Sequence, residues 1–300
     1  MTGQDVQADD EEDEFSVVRP ISLEVKILEK NDTQLRFMVQ GIDLSVANAL
    51  RRAMIAEVSS MAIDDVFIIE NSSTMEDEIL AHRLGLVPLK TDLKSYVMRD
   101  KCDCHSESGC NKCAVTFTLE AEASGSTRTV YSKELKSSDS QVVPVNGDIP
   151  LLKLANNQRV RLEAYARLGM GTEHAKWQPV TVCTVRPTST ILIDEKCDAC
   201  QRCVEVCFPQ VLRIKEGVLV IEDYEKCNSC KRCEESCPNG AIHIERSKDA
   251  FVFTIESSGV LPPESIFDSA IDLLKDKAQE FISHVTSLKT GGENDETEQS

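Results

Sequence analysis

Eight of the 13 cysteines in this chain fall between residues 197 and 237. They read Cys197-x2-Cys200-x2-Cys203-x3-Cys207 and then Cys227-x2-Cys230-x2-Cys233-x3-Cys237-Pro238. No other feature constrains the local fold so tightly. Three thiolates on one tight loop can cap three corners of an iron–sulfur cubane, and the fourth must come from elsewhere. The bacterial ferredoxin run is thus written twice. In two-cluster ferredoxins the fourth cysteine of each run ligates the other cluster. The expected cofactors are therefore two [4Fe–4S] clusters with crossed ligation. One would sit on Cys197, Cys200, Cys203 and Cys237, the other on Cys227, Cys230, Cys233 and Cys207.

The two runs belong to a repeat of period 30. Glu195-Lys196-Cys197 matches Glu225-Lys226-Cys227, Arg202-Cys203 matches Arg232-Cys233, and Leu212-Arg213-Ile214 matches Ile242-His243-Ile244. So short a repeat implies a pseudo-twofold unit in which each half completes the core of the other. One departure is visible: the first run ends Cys207-Phe208-Pro209, where the second ends Cys237-Pro238. This puts the turn after Cys207 in question, but not its thiolate. Zinc is a weaker reading of these runs, because zinc sites use paired Cys-x2-4-Cys spacing. Disulfides are weaker still in a cytosolic chain.

A separate cluster lies upstream, Cys102-x-Cys104-x5-Cys110-x2-Cys113, in a loop with Ser106, Ser108 and Gly109. Four soft ligands at this spacing suit a closed tetrahedral zinc knuckle holding one Zn2+, with His105 as a possible substitute ligand. A reduced cysteine-rich loop without metal is the competing reading. Cys183, in the alternating stretch Val180–Val185, reads as a small buried hydrophobe.

The formal net charge of −18 opposes broad contact with nucleic-acid phosphate, so little or no direct DNA contact is expected. Much of the acid is terminal. Residues 1–19 and 289–300 read as solvated acidic tails, the first carrying Asp9, Asp10, Glu11, Glu12, Asp13 and Glu14 in one run. No apolar run approaches the roughly 20 residues that span a bilayer, and the N-terminal segment is acidic rather than signal-like. The expectation is a cytoplasmic protein with no membrane contact.

Between the tails the pattern changes several times. Residues 21–40 read as a β-hairpin, with Leu23, Val25 and Ile27 alternating, a turn at Asn31-Asp32, and Leu35, Phe37 and Val39 alternating back. Asp43 is an N-cap candidate for a helix through Glu57, whose apolar positions are Val46, Ala49, Leu50, Ala53 and Met54. Short alternating runs then continue to about residue 190 and predict a β-rich domain. After the cysteine-rich segment comes an alternating strand at Phe251–Ile255. Pro262-Pro263 open a long helix to about 288, striped with Phe267, Ala270, Ile271, Leu274, Ala278, Phe281, Ile282 and Val285. Such a stripe either packs on the hairpin or is shared with a partner. Its width and continuity favour sharing. There is no Gly-rich phosphate loop and no Ser/His/Asp constellation. His82, His174, His243 and His284 are isolated.

Three host segments carry a resemblance. Asn48-Ala49-Leu50-Arg51-Arg52-Ala53-Met54-Ile55-Ala56-Glu57, then Glu70-Asn71-Ser72-Ser73, then His82-Arg83-Leu84-Gly85-Leu86-Val87-Pro88-Leu89 are similar to the α-like subunit family of cellular RNA polymerases, and within it to the archaeal D type. Phe251-x-Phe-Thr-Ile-Glu256-Ser-x-Gly259-x-Leu261-Pro-Pro263 resembles that family's second dimerisation segment. The resemblance implies an α+β fold. Residues 20–58 plus 249–288 would form a discontinuous dimerisation domain. Residues 59–190 would form an inserted β-rich domain with the zinc-type loop 102–113, and 191–247 a ferredoxin-like domain. It further implies pairing with the small α-like subunit L, contact with the second-largest subunit and the small subunits N and P, and no catalytic residues in this chain. Judged on the ferredoxin-like segment alone, the chain would instead read as an electron-transfer subunit of an oxidoreductase. The host segments outweigh that reading, because redox function belongs to a site and its partner rather than to a fold.

Overall fold

A hairpin opens the described part of the chain because two alternating runs flank a tight Asx turn. The Asn31 side chain accepts the backbone N–H of Thr33 at 3.0 Å and of Gln34 at 2.7 Å. The computed structural model describes residues 22–291 apart from 105, 107 and 108, with side chains as far as 288. The tail 1–19, residues 292–300 and His105 lie outside the described residues, while 289–291, expected to begin the second tail, continue the last helix.

In chain order the elements are β1 (Glu24–Lys30), β2 (Gln34–Gln40), α1 (Leu44–Ala56), β3 (Ser60–Asn71), α2 (Asp77–Gly85), β4 (Ala114–Glu122), β5 (Arg128–Tyr131), β6 (Lys136–Ser137), β7 (Pro150–Leu154) and β8 (Arg159–Gly169). There follow β9 (Val180–Ile193), α3 (Arg202–Glu205), β10 (Leu212–Lys215), β11 (Val218–Ile221), α4 (Arg232–Glu235), β12 (Ile242–Ser257) and α5 (Pro263–Gly291).

The first sheet has the order β1-β2-β12-β9, antiparallel throughout. Its strands come from both ends of the described chain. Leu35, Phe37 and Val39 of β2 and Phe251, Phe253 and Ile255 of β12 are buried beneath α1 and the first turns of α5. Phe37 stacks on Phe253 at 5.1 Å between ring centroids, and Phe267 of α5 meets Phe37 edge-on at 4.7 Å. Asp43 caps α1, accepting from the Val46 N–H at 2.8 Å. The buried positions of α1 are Ala47, Leu50, Ala53 and Met54, whereas Val46 is exposed. Three of the five expected apolar positions are thus buried, and in the first turn Ala47 takes the buried place expected of Val46.

The second unit is built on the sheet β3-β8-β4-β6 with the pair β5-β7 and helix α2. Leu80 and Leu84 of α2 lie in a core with Val115, Phe117 and Leu119 of β4 and Leu162, Ala164 and Ala166 of β8. Gly169 ends β8 where no side chain fits: a Cβ there would lie 2.4 Å from the Trp177 ring.

The segment boundaries drawn at 190 and 249 cut through strands. β9 runs 180–193 and β12 runs 242–257, and they pair from Val180–Ser257 to Ile193–Ile242. Val180–Val185, expected in the inserted β-rich domain, therefore lies in the first sheet. Alternation identifies a strand but not the sheet it joins. Cys183 is half-buried against the core of that sheet, and burial pushes its thiol up to about 11. The far ends of β9 and β12 leave the sheet and carry the third unit, with α3, α4 and the β10–β11 hairpin around a small core of Ile191, Val211, Leu212, Leu219, Ile242 and Ile244.

Candidate metal centres

The ferredoxin-type cysteines sit on two loops with the same backbone. Non-glycine residues take positive φ at Ala199 (54°) and Gln201 (67°) in the first and at Ser229 (55°) and Lys231 (61°) in the second. Left-handed geometry at alternate positions winds each loop tightly between its successive cysteines. Asp198 accepts the Cys200 N–H at 3.2 Å, and Asn228 accepts the Cys230 N–H at 3.2 Å. Each fourth cysteine sulfur accepts a backbone N–H, Cys207 from Val211 at 3.4 Å and Cys237 from Ala241 at 3.2 Å. Such bonds offset negative charge on a thiolate. The turn questioned after Cys207 matches its twin: Gln210 N–H reaches the Cys207 carbonyl at 3.0 Å, and Gly240 N–H reaches that of Cys237 at 3.2 Å. Phe208, which stands where the second loop has Pro238, is 90 % exposed.

Cys203, Cys227 and Cys233 are buried, Cys197, Cys207 and Cys237 half-buried, and Cys200 and Cys230 exposed. Burial, together with the charges of Cys207 and Cys227, pushes the Cys233 thiol up to about 11. Burial and the charges of Cys197 and Cys200 likewise raise Cys203. Cys207 of the first run is thus an electrostatic neighbour of the second. The donor set, two loops of three thiolates each followed by a fourth, suits iron–sulfur ligation, and Cys207 beside the second run is where crossed ligation would need it.

The upstream loop has a different geometry. The four sulfurs of Cys102, Cys104, Cys110 and Cys113 lie within 4.8 Å of one another. Cys102–Cys110 and Cys104–Cys113 are 3.7 Å apart and Cys110–Cys113 3.9 Å. An ion about 2.3 Å from each of four tetrahedral sulfurs sets them about 3.8 Å apart. The Cys110 N–H points at the Cys113 sulfur at 3.2 Å, and the Lys112 N–H at the Cys110 sulfur at 3.4 Å. Gly109 at φ +79° lets the loop close, since a Cβ there would lie 2.8 Å from Ala114 Cβ. The Ser106 N–H, and then Cys102, pull the Cys104 thiol down to about 7, while burial pushes Cys113 up to about 12. Four thiols so close cannot all ionise unaided. A dication that neutralises them couples binding to proton release. The donor set fits a single tetrahedral zinc.

Both groups of cysteines were legible from spacing. The left-handed loop residues were missed, since Ala, Gln, Ser and Lys carry no sequence signal for positive φ. So was Arg186, an ordinary strand residue whose guanidinium reaches the second cysteine loop.

Among the described residues no helix is long and apolar enough to cross a membrane. Several large apolar side chains are nonetheless exposed. Leu23, Val25 and Ile27 are 62 %, 56 % and 59 % exposed at edge strand β1, and Phe281 and Ile282 are 69 % and 62 % exposed on α5.

Comparison with known proteins matches two parts of the chain to families. The family described as RNA polymerase Rpb3/RpoA insert domain matches residues 61–194, and the 4Fe-4S binding domain family matches 220–243, which spans the second cysteine run. A DNA-directed RNA polymerase subunit Rpo3 of Methanosphaera stadtmanae is 41 % identical over 268 residues, covering 88 % of this chain and 98 % of the relative. The Rpo3 subunit of Methanothermobacter thermautotrophicus is 43 % identical over 264 residues, 87 % of this chain and 98 % of the relative. That of Archaeoglobus fulgidus is 40 % identical over 267 residues, 89 % and 99 %. Identity at this level, along nearly the whole length of each relative and across all three units, assigns the chain to the family of DNA-directed RNA polymerase subunit Rpo3.

Proposed function

We propose that this chain is the non-catalytic, D-type α-like subunit of an archaeal DNA-directed RNA polymerase and acts as an assembly platform in the cytoplasm. The observation that carries this reading is the first sheet. It is closed by strands from both ends of the chain, yet it leaves the apolar side chains of β1 and the outer half of α5 uncovered. Exposed apolar stripes of this kind are interaction surfaces. The occupant is the small α-like subunit L. The inserted β-rich unit faces the second-largest subunit, the small subunits N and P complete the platform, and the net charge of −18 keeps it off DNA.

Two [4Fe–4S] clusters occupy Cys197, Cys200, Cys203 with Cys237, and Cys227, Cys230, Cys233 with Cys207. One Zn2+ occupies Cys102, Cys104, Cys110 and Cys113. An electron-transfer subunit of an oxidoreductase is not favoured, because the likeness to Rpo3 subunits runs through the host segments as well as the cysteine-rich one. Anaerobic co-expression with a small α-like subunit, followed by size-exclusion chromatography and metal analysis, tests the reading. The expected result is a heterodimer with about eight irons and about one zinc per chain. A chain that elutes alone, or that co-purifies with a flavin- or nickel-containing enzyme, would overturn it.

A further inference from the structure

The two cysteine loops repeat each other in sequence and backbone, yet among the described residues only the second is fastened by side chains to β1, β2 and β9 of the first four-stranded sheet. Arg186 of β9 donates through Nη1 to the Cys227 carbonyl at 2.7 Å and through Nη2 to the Glu225 carbonyl at 2.6 Å. Arg36 of β2 reaches the same Glu225 carbonyl at 3.4 Å. Lys26 of β1 forms an ion pair with the Glu225 carboxylate. The Ser189 hydroxyl of β9 meets that of Ser229 at 2.5 Å, and both serines are buried. Three strands thus each send at least one side chain to residues 225–229.

The twin segment 195–199 has the same Glu-Lys-Cys start and none of these contacts. Its Lys196 carbonyl accepts from Asn239, inside the ferredoxin-like unit itself, at 3.2 Å. Among the described residues no side chain of β1, β2 or β9 donates to Glu195, Cys197 or Ala199. Arg186 is half-buried, and burial followed by the charge of Arg36 holds its pKa below the usual value. Two guanidiniums this close need their acceptors. The carbonyls of the Cys227 loop and the Glu225 carboxylate supply them, and those groups stay in place only while the loop is wound.

We propose that Arg186 is a positioning residue that ties the cluster of the second cysteine run, and not that of the first, to the four-stranded sheet, so that loss of that cluster alone loosens the β1–β2 hairpin. The inference rests on the reading that Cys227, Cys230, Cys233 and Cys207 hold a cubane. It adds an inequality between two sites that sequence presents as equivalent, and it directs the effect of cluster loss to the edge strand that carries Val25 and Ile27.

Hydrogen–deuterium exchange of the full chain under anaerobic conditions tests this, with iron content and electron paramagnetic resonance recorded on each sample. Cys200→Ala and Cys230→Ala remove one exposed ligand from each run. Cys230→Ala is expected to speed exchange of the 24–40 hairpin on the order of tenfold, the weight of one or two charge-assisted hydrogen bonds. Cys200→Ala should leave that hairpin within about twofold of wild type. Arg186→Gln should speed it similarly while both cluster signals remain. Arg186→Lys, which keeps the charge but loses the fork, should do so by a smaller factor. Equal effects of the two cysteine variants, or an unchanged hairpin in both Arg186 variants, would overturn the proposal. A wild-type chain without iron would overturn it through the cofactor reading instead, and the iron assay separates the two failures.

Discussion

Trp177, the single tryptophan, illustrates how much one residue position can organise. Its buried ring packs against two cations, with Arg167 at 4.5 Å and Lys176 at 4.3 Å from the centroid, and its indole N–H donates to the Arg167 carbonyl at 3.2 Å. Both cations converge on Asp64, Arg167 at 2.5 Å and Lys176 at 2.6 Å. Burial alone would raise the Asp64 pKa, but the hydrogen bonds from Lys176 and Arg167 outweigh it and hold the carboxyl below its usual range. A depressed folded-state pKa stabilises above the unfolded value, and the contribution is lost as pH falls through the folded one. Asp64→Asn should therefore cost about 2 kcal/mol near neutral pH. The deficit should close as pH drops below about 4. Urea denaturation followed by Trp177 fluorescence reads this locally, and a deficit that persists at low pH would remove the ionic explanation. At the same scale, Cys237→Ser should damage the cluster of Cys197, Cys200 and Cys203 and spare the other. Anaerobic spectroscopy that finds the opposite loss would reject crossed ligation.

At the scale of elements, α5 divides into two lengths by burial. It spans residues 263–291, about 43 Å at 1.5 Å per residue. Ile266 and Ala270 are buried against the first sheet, and Phe267 and Leu274 are half-buried there. Beyond Leu274 the stripe runs out of core, and Phe281 and Ile282 stand exposed. The stripe was legible as one continuous face. The point at which it changes its neighbour was not, because periodicity records a face and not what lies opposite. Phe281→Asp should abolish pairing with the small α-like subunit, since an unpaired charge would enter an apolar contact, while leaving the lone chain as stable as wild type. Leu274→Asp should weaken the lone chain as well. Size-exclusion chromatography and thermal denaturation of both variants check this, and a stable heterodimer carrying Phe281→Asp would move the interface elsewhere.

For the whole molecule, the ferredoxin-like unit grows from the ends of two strands that continue into the first sheet. Ile193 and Ile242 are register partners. Replacing residues 195–240 by a two-residue turn should therefore close β9 and β12 as a hairpin and leave the other two units folded. That variant should lose all iron and keep about one zinc on Cys102, Cys104, Cys110 and Cys113. Metal analysis that finds iron retained, or no zinc, would reject the assignment of the two metals to separate loops.

The sequence by itself determined the candidate ligand sets, because metal coordination demands a residue type at a fixed spacing, and the cysteines from Cys197 to Cys237 and from Cys102 to Cys113 have it. It also determined the hairpin, the Asp43 cap and the period of α5, which depend on neighbours within a few residues. Only the tertiary structure decided that β9 leaves the inserted unit for the sheet of β1, β2 and β12. It alone decided that Ala47 rather than Val46 faces that sheet. It decided, too, that of two loops beginning Glu-Lys-Cys one meets Arg186 and the other does not. These outcomes rest on contacts between residues dozens to hundreds of positions apart, and neither spacing nor alternation encodes which surface a residue will meet.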